Sequence, residues 1–225
     1  MSISASVVIT PLREGDRLTR EEFLRRWEAM PNLKFAELID GIVYMPSPIS
    51  IIHRDFHRSL SFWLGTYVVA TPCCEGGSSG TWLMSKESAP LPDLDLCIRP
   101  ESGGQSRVEG DYAAGAPEFI AEVSHTTIAR DAGVKLQLYE RSGVREYLIV
   151  RPKKKQAIWH ELVDGKYREI APSDDGILRS RVFPGLWLDT LALWSRDLPG
   201  LAAAVQRGVA TAEHAQFVRK HSAKL

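Results

Sequence analysis

An α/β fold is what this sequence predicts, on three observations. A short apolar segment at 119–123, a helical stretch at 130–142 and a second apolar segment at 146–150 follow one another. That strand-helix-strand order implies a parallel pair of strands joined by a right-handed crossover. The run 92–98 is nearly continuous in apolar character, as suits a central strand covered on both faces. Within 52–70, Phe56, Leu60, Trp63, Leu64, Tyr67 and Val68 recur at helical spacing, which supplies a long amphipathic helix to pack on the sheet.

Composition bounds the function classes. The 225 residues, 44% hydrophobic and 25% charged, suffice for one sizeable core and exclude wholesale disorder. Lys+Arg 28 against Asp+Glu 28 gives a formal net charge of +0, so any contact with DNA must use local basic patches. Cys73, Cys74 and Cys97 lack C-x-x-C spacing and read as reduced core fillers. The amino-terminal apolar run Val7-Val8-Ile9 is too short for a signal core, and no run approaches the ~20 residues of a membrane span. A cytoplasmic protein without membrane association is expected.

Residues 1–17 read as a loose tail. Thr19-Arg20-Glu21-Glu22 forms a capping box that opens a helix to about Met30. Segments 35–38 and 42–45 flank Asp40-Gly41, a dipeptide that accepts the positive φ angles of a hairpin turn, which places Glu37 on a strand. The helix at 52–70 ends before Pro72, and 73–84 reads as one twisted strand interrupted by Gly76, Gly77 and Gly80. Residues 99–116, rich in Gly, Ser and charge, are expected to form the one long, mobile loop. Gly143 closes the 130–142 helix in the left-handed conformation. Segments 158–163 and 167–170, joined by Asp164-Gly165, form a closing hairpin, and after a short 182–188 segment the chain is helical at 191–194, 198–205 and 212–219. One domain at 18–197 with a helical extension at 198–225 is expected; Leu198, Leu201 and Val205 on one helix face suit packing or a homodimer.

The chemistry-bearing residues lie on these elements. Glu122 shares a strand face with Ile120 and Ser124 and stands among apolar neighbours. Alone it reads equally as a strand-end glutamate facing solvent. Asp93 and Glu37 also fall on predicted strands, and three converging carboxylates repel one another unless a cation joins them. Mg²⁺ suits them, with Mn²⁺ as substitute, because the donors are hard oxygens without sulfur or a paired-histidine cage. Lys135 lies one turn after Asp131 and one turn before Tyr139, on one side of the helix. Either Lys135 stabilises negative charge at such a site, or Asp131 and Lys135 form an exposed pair. Tyr139 reads as a packing residue with a satisfied hydroxyl. Asp95 either competes for the ion or reaches solvent. His53 and His57, four apart without an accompanying H-E-x-x-H glutamate, read as surface or phosphate-contacting groups, and His125, after the site strand, as a cap or a solvated side chain, or else as a substrate contact. Lys153-Lys154-Lys155 is a phosphate grip or a solvated turn.

Taken together, Phe35-Ala36-Glu37-Leu38-Ile39-Asp40-Gly41, Leu91-Pro92-Asp93, Pro117-Glu118-Phe119-Ile120-Ala121-Glu122-Val123, Asp131 with Lys135-Leu136, and Tyr139 followed by Gly143-Val144-Arg145-Glu146-Tyr147 form a specific set. The chain resembles, over residues 19–197, the Uma-type restriction endonuclease family, a branch of the PD-(D/E)xK nuclease superfamily. The resemblance implies a restriction-endonuclease-like core with a central mixed sheet flanked by helices, and a Mg²⁺-dependent endonuclease site. In that site Asp93 and Glu122 are metal carboxylates, Glu37 is an additional acid at the metal and Lys135 is the lysine. One departure stands out: the superfamily motif puts lysine two places after the glutamate, where this chain has Ser124, so Lys135 on the following helix takes the part. The expectation is a Mg²⁺-dependent phosphodiesterase acting on DNA. Its rivals are a catalytically inactive nucleic-acid-binding or protein-interaction module of the same fold, and a hydrolase of small phosphate esters.

Overall fold

The computed structural model describes residues 9–45, 48–124 and 129–222. Helix α1 (Arg20–Glu28) starts where the cap predicts, with the Glu22 amide donating to the Thr19 hydroxyl at 3.3 Å. The Glu22 carboxylate does not close the box; it binds Arg25 and Arg26. Strands β1 (Glu37–Ile39) and β2 (Ile42–Tyr44) pair antiparallel around Asp40 and Gly41, at φ 52° and 74°. Residues 9–17, expected within a loose tail, are held against this hairpin: Leu12 is buried, Gly15 N–H donates to Val43 O, and Val43 N–H to Asp16 O.

Helix α2 (Ile51–Ala70) is capped by Ser50, whose hydroxyl accepts from the His53 amide. The expected single strand at 73–84 is instead two, β3 (Cys74–Ser78) and β4 (Trp82–Leu83), in different sheets. Ser79, at φ 55° with its amide bound to Asp93 O, turns the chain between them. After β5 (Leu94–Ile98), the expected mobile loop at 99–116 carries a hairpin, β6 (Arg107–Glu109) and β7 (Tyr112–Ala114), which joins β4 in a three-stranded sheet. The reason is Glu118: its fully buried carboxylate accepts from the Ile98 amide at 3.1 Å and the Gln105 amide at 2.9 Å and so pins the first half of the segment.

Strand β8 (Phe119–Val123) leads to a π-helical turn, Arg130–Lys135, that continues as α3 (Leu136–Ser142) and closes on Gly143 at φ 84°. The remainder runs β9 (Glu146–Arg151), β10 (Gln156–Val163), β11 (Lys166–Glu169), β12 (Ile177–Arg179), β13 (Trp187–Asp189), α4 (Thr190–Ser195), α5 (Leu198–Val209) and α6 (Ala212–Ser222). The central sheet is ordered β11-β10-β9-β8-β5-β3. Within it β8 and β9 are parallel, with Glu122 opposite Ile149, and the other pairs are antiparallel.

Strand alternation divides β8 as predicted. Phe119, Ala121 and Val123 join Trp63, Leu64 and Tyr67 of α2 in the main core, whereas Ile120 packs with Leu138 and Tyr139 of α3 on the opposite face. The carboxy-terminal helices belong to the main core: Leu201 and Val205 are buried in it, so the stripe that suited packing or self-association is occupied within the chain. Among the described residues no helix is long and apolar enough to cross a membrane.

Candidate active site

The centre of the site is a buried lysine. Lys135 Nζ lies 2.7 Å from Glu37 Oε1 and 2.7 Å from Glu122 Oε1, with 4% of its side chain exposed. It belongs to the π-helical turn, whose wider coil carries Asp131 and Lys135 inward together; both are buried. An exposed Asp–Lys pair is thereby excluded. Tyr139, one turn on, donates its hydroxyl to Glu122 Oε1 at 3.0 Å, so this packing residue also fixes the glutamate's rotamer. Glu37 is fully engaged: Oε1 also accepts from the Leu91 amide at 2.9 Å, and Oε2 faces Arg130 Nη1 at 3.3 Å. Arg130 in turn lies over the Tyr44 ring, 4.5 Å from its centroid.

Asp93 sits immediately before β5, at the edge of the same cavity. Its Oδ2 accepts from the Val123 amide at 2.7 Å and pairs with His53 Nε2 at 3.1 Å, while its backbone carbonyl is 3.1 Å from His57 Nε2. The two histidines, one turn apart on α2, therefore clasp the aspartate from side chain and main chain. Neither is the freely exposed group that their spacing alone suggests; both have Asp93 as partner. Among the described residues no hydrogen bond reaches Asp93 Oδ1 or Glu122 Oε2.

These groups open on one cavity of about 150 Å³ whose walls include Glu37, Asp93, Glu122, Asp131, Arg130 and Lys135. Burial works against the Lys135 ammonium, but Glu122, Glu37 and Asp131 outweigh it and hold the amine charged. Burial pushes the Glu122 carboxyl well above the usual carboxylate range; Lys135 opposes this, and Asp93, Asp131 and Glu37 add to it. Burial also raises Asp93, yet its bonds to His53 and the Val123 amide prevail and keep it below its ordinary value. His53 is raised by its hydrogen bond to Asp93, against burial. Glu37, Asp93, Glu122 and Asp131 share this cavity with Arg130 and Lys135, and a divalent ion would stabilise the ionised form of Glu122 that burial and the neighbouring acids oppose. Among the described residues no three His, Cys, Asp or Glu side chains already stand around one point in ligating geometry. Asp93 and Glu122, each with an oxygen that accepts no hydrogen bond among the described residues, nevertheless match the donor set of Mg²⁺, which commonly binds one or two carboxylates and keeps several waters.

Of the predicted residues, Glu37, Asp93, Glu122 and Lys135 are brought together, and Glu37 enters through Lys135. Asp95 neither reaches solvent nor joins the cavity: it is buried against Gly77, and burial pushes its carboxyl up to about 6. Ser124, at the motif lysine position, is buried. His125 lies outside the described residues. Residue-type reasoning missed His53 as a partner of Asp93 and Arg130 as a partner of Glu37. The i, i+4 histidine spacing was the available signal for the first; nothing local signals the second.

A six-stranded mixed sheet with helices on both faces, carrying acids from three segments around a helical lysine, defines an α/β domain of the restriction-endonuclease-like class. The chain belongs to the Uma2 family, described as "Putative restriction endonuclease", whose family model matches residues 20–192. In structure it is similar to a "putative nuclease belonging to DUF820" from Anabaena variabilis, with a TM-score of 0.61 and 15% identity over 79% of this chain and 98% of that one. At that identity the likeness is one of fold. Among curated proteins none matches this sequence.

Proposed function

We propose that the protein is a Mg²⁺-dependent endonuclease that hydrolyses phosphodiester bonds in DNA. The observation that carries this reading is Lys135, a desolvated ammonium bonded at 2.7 Å to acids from two separate segments, at the wall of an open cavity shared with Asp93. A merely structural ion pair has no need of an opening to solvent. Asp93 and Glu122 would hold the ion through their remaining oxygens, and Glu37 contributes by holding Lys135. When bound, Mg²⁺ supplies a water of lowered pKa and offsets charge on the scissile phosphate.

The chain's own residues do the rest. Lys135 donates to Glu122 and pairs with Glu37, and as an ammonium with three donors at the cavity wall it can also serve a water or a phosphoryl oxygen there. Because the carboxylates already fix its position, little reorganisation is needed as negative charge develops. His53 and the Val123 amide hold Asp93, and Tyr139 holds Glu122, so both metal carboxylates are oriented before substrate arrives. For the DNA backbone, the exposed Lys153, Lys154 and Lys155 follow β9, which leaves the sheet at the same end as β8. Their 3₁₀ turn packs against α2, the helix that also carries His53 and the exposed Arg58. This is the local basic patch a neutral chain needs to bind a polyanion.

The test is to incubate the purified protein with plasmid DNA and Mg²⁺ or Mn²⁺. Nicking by the wild type that disappears in Glu122→Ala is the expected result. Equal nicking by both would assign the activity to a contaminant. No nicking, with no Mg²⁺-dependent rise in thermal stability, would leave a binding module of the same fold.

A further inference from the structure

The catalytic cavity has a second wall that the cleavage reaction does not use. Phe35, Tyr44, Met45, Pro48 and Ile49 line it together with the acids and the lysine, Tyr44 as the cross-strand neighbour of Glu37. Phe35 is 39% exposed and Ile49 67% exposed, and Ile51 and Ile52 continue the patch onto the first turn of α2. These four make up half of the large exposed apolar side chains among the described residues. The others are apart from the cavity lining, Phe62 and Val69 on later turns of α2 and Val108 and Leu191 on other elements, and single exposed apolar residues are ordinary, whereas a group at a site marks something that binds there.

We propose that the strand cleaved here is unpaired at the scissile position, with the base beside the scissile phosphate lying against the wall of Phe35, Met45 and Ile49. This rests on the nuclease reading and names its substrate class. In a duplex the flat faces of the bases are covered by their neighbours, and a protein meets phosphates, sugars and groove edges. An apolar wall within a cavity built for a phosphodiester has no surface to cover on such a substrate. An unpaired nucleotide offers both chemistries side by side: a phosphate for the ion and Lys135, and an apolar ring face for the aromatic wall. Charge points the same way. The two permanent cations of the cavity, Arg130 and Lys135, are both bonded to carboxylates, so the immediate site has no broad cationic surface with which to hold two phosphate backbones. Binding energy at the site must then come from contact with the base, and the lysines at 153–155 provide one backbone track rather than two.

The probe is a single-stranded DNA oligonucleotide carrying 2-aminopurine, compared with the same sequence in a blunt duplex. Binding is followed by base fluorescence without divalent ion, and cleavage with Mg²⁺ or Mn²⁺. The single strand should bind with a change in base fluorescence and be cut faster than the duplex. Phe35→Ala should weaken single-strand binding about tenfold and leave duplex binding unchanged, with Phe35→Leu intermediate. Since Phe35 is exposed, unchanged thermal stability in both variants confirms that the fold is intact. Equal cleavage of single strand and duplex by wild type and Phe35→Ala would overturn the inference while the nuclease reading stands. Phe35-dependent single-strand binding without any cleavage would keep the base wall and sink the nuclease reading.

Discussion

Glu118 and Glu122 stand four residues apart on the same stretch of chain, both are buried, and they have been put to opposite uses. Glu118 spends its oxygens on backbone amides, Ile98 and Gln105, and does not line the cavity that Glu122 lines. Glu146, at the start of β9, does likewise: it accepts from the amides of Arg181 and Val182 and from the Ser180 hydroxyl at 2.7 Å, tying the segment before β13 to the sheet. Among the described residues Glu122 takes only side-chain donors, Lys135 and Tyr139, and it lines an open cavity. Burial alone therefore does not identify a working carboxylate. Partners and place together do: Glu118 and Glu146 are held by donors that tie loops to the sheet, whereas Glu122 meets a buried ammonium and a phenol at the wall of an open cavity.

The sharpest way to break this contrast is Lys135→Met, which keeps the volume and removes the charge. Glu122 would then keep only the Tyr139 hydroxyl and Glu37 only Arg130 and the Leu91 amide, and truncating one side of a buried ion pair destabilises by ~3–5 kcal/mol. Urea denaturation should show that loss, together with loss of cleavage. A change below about 1 kcal/mol would mean that water in the cavity already solvates the acids, and Lys135 would lose its central place. Next in size is Glu122→Gln, which keeps an acceptor for Lys135 and Tyr139 but cannot supply a charged oxygen. Cleavage should fall ~10²–10³-fold, the scale on which single preorganised electrostatic groups act, while stability moves little. Glu118→Gln should retain cleavage; if it lost as much activity as Glu122→Gln, the division by partner type would fail.

What the sequence revealed and what it hid follow the same division. Period-two alternation put Glu122 on the face opposite Phe119 and Val123, and the helix period put Asp131, Lys135 and Tyr139 on one side; both are local rules, and both hold. The π-helical turn at Arg130–Lys135 has no sequence signature, yet it leaves the inward direction intact. The role of His53 depends on a contact 40 residues away, and that of Arg130 on one 93 residues away, and no periodicity encodes such distances. The hairpin of β6 and β7 was hidden because the order of 99–116 comes from Glu118, whose place at the head of an apolar strand says nothing of the amides it would bind.

That dependence gives a smaller, purely structural prediction. Glu118→Ala leaves the amides of Ile98 and Gln105 without their acceptor in a buried place, at about 1–3 kcal/mol for each unsatisfied group and less where water enters. A loss of roughly 2 kcal/mol is expected, with faster hydrogen exchange concentrated at 99–116. Exchange that rises evenly over the whole sheet would show that Glu118 does not act as the local pin.

The smallest effect separates a structural acid from Glu122 by pH. Burial raises Glu146 to about 7, against its hydrogen bonds from Ser180, Arg181 and Val182. A carboxyl whose folded value lies above its unfolded one favours the folded state when protonated, so its stabilisation is complete below the unfolded value of about 4.5 and is lost as pH rises through about 7. Glu146→Gln keeps an acceptor for the two amides, turns the other atom into a donor toward Ser180, and cannot ionise. Relative to wild type the variant should therefore gain ~1–2 kcal/mol between pH 5 and pH 8. Thermal unfolding at the two pH values measures this directly, and cleavage at each should match the wild type wherever both are folded. A variant that gained nothing at pH 8 would show that the three donors around Glu146 already stabilise its anion, and burial would no longer explain its behaviour.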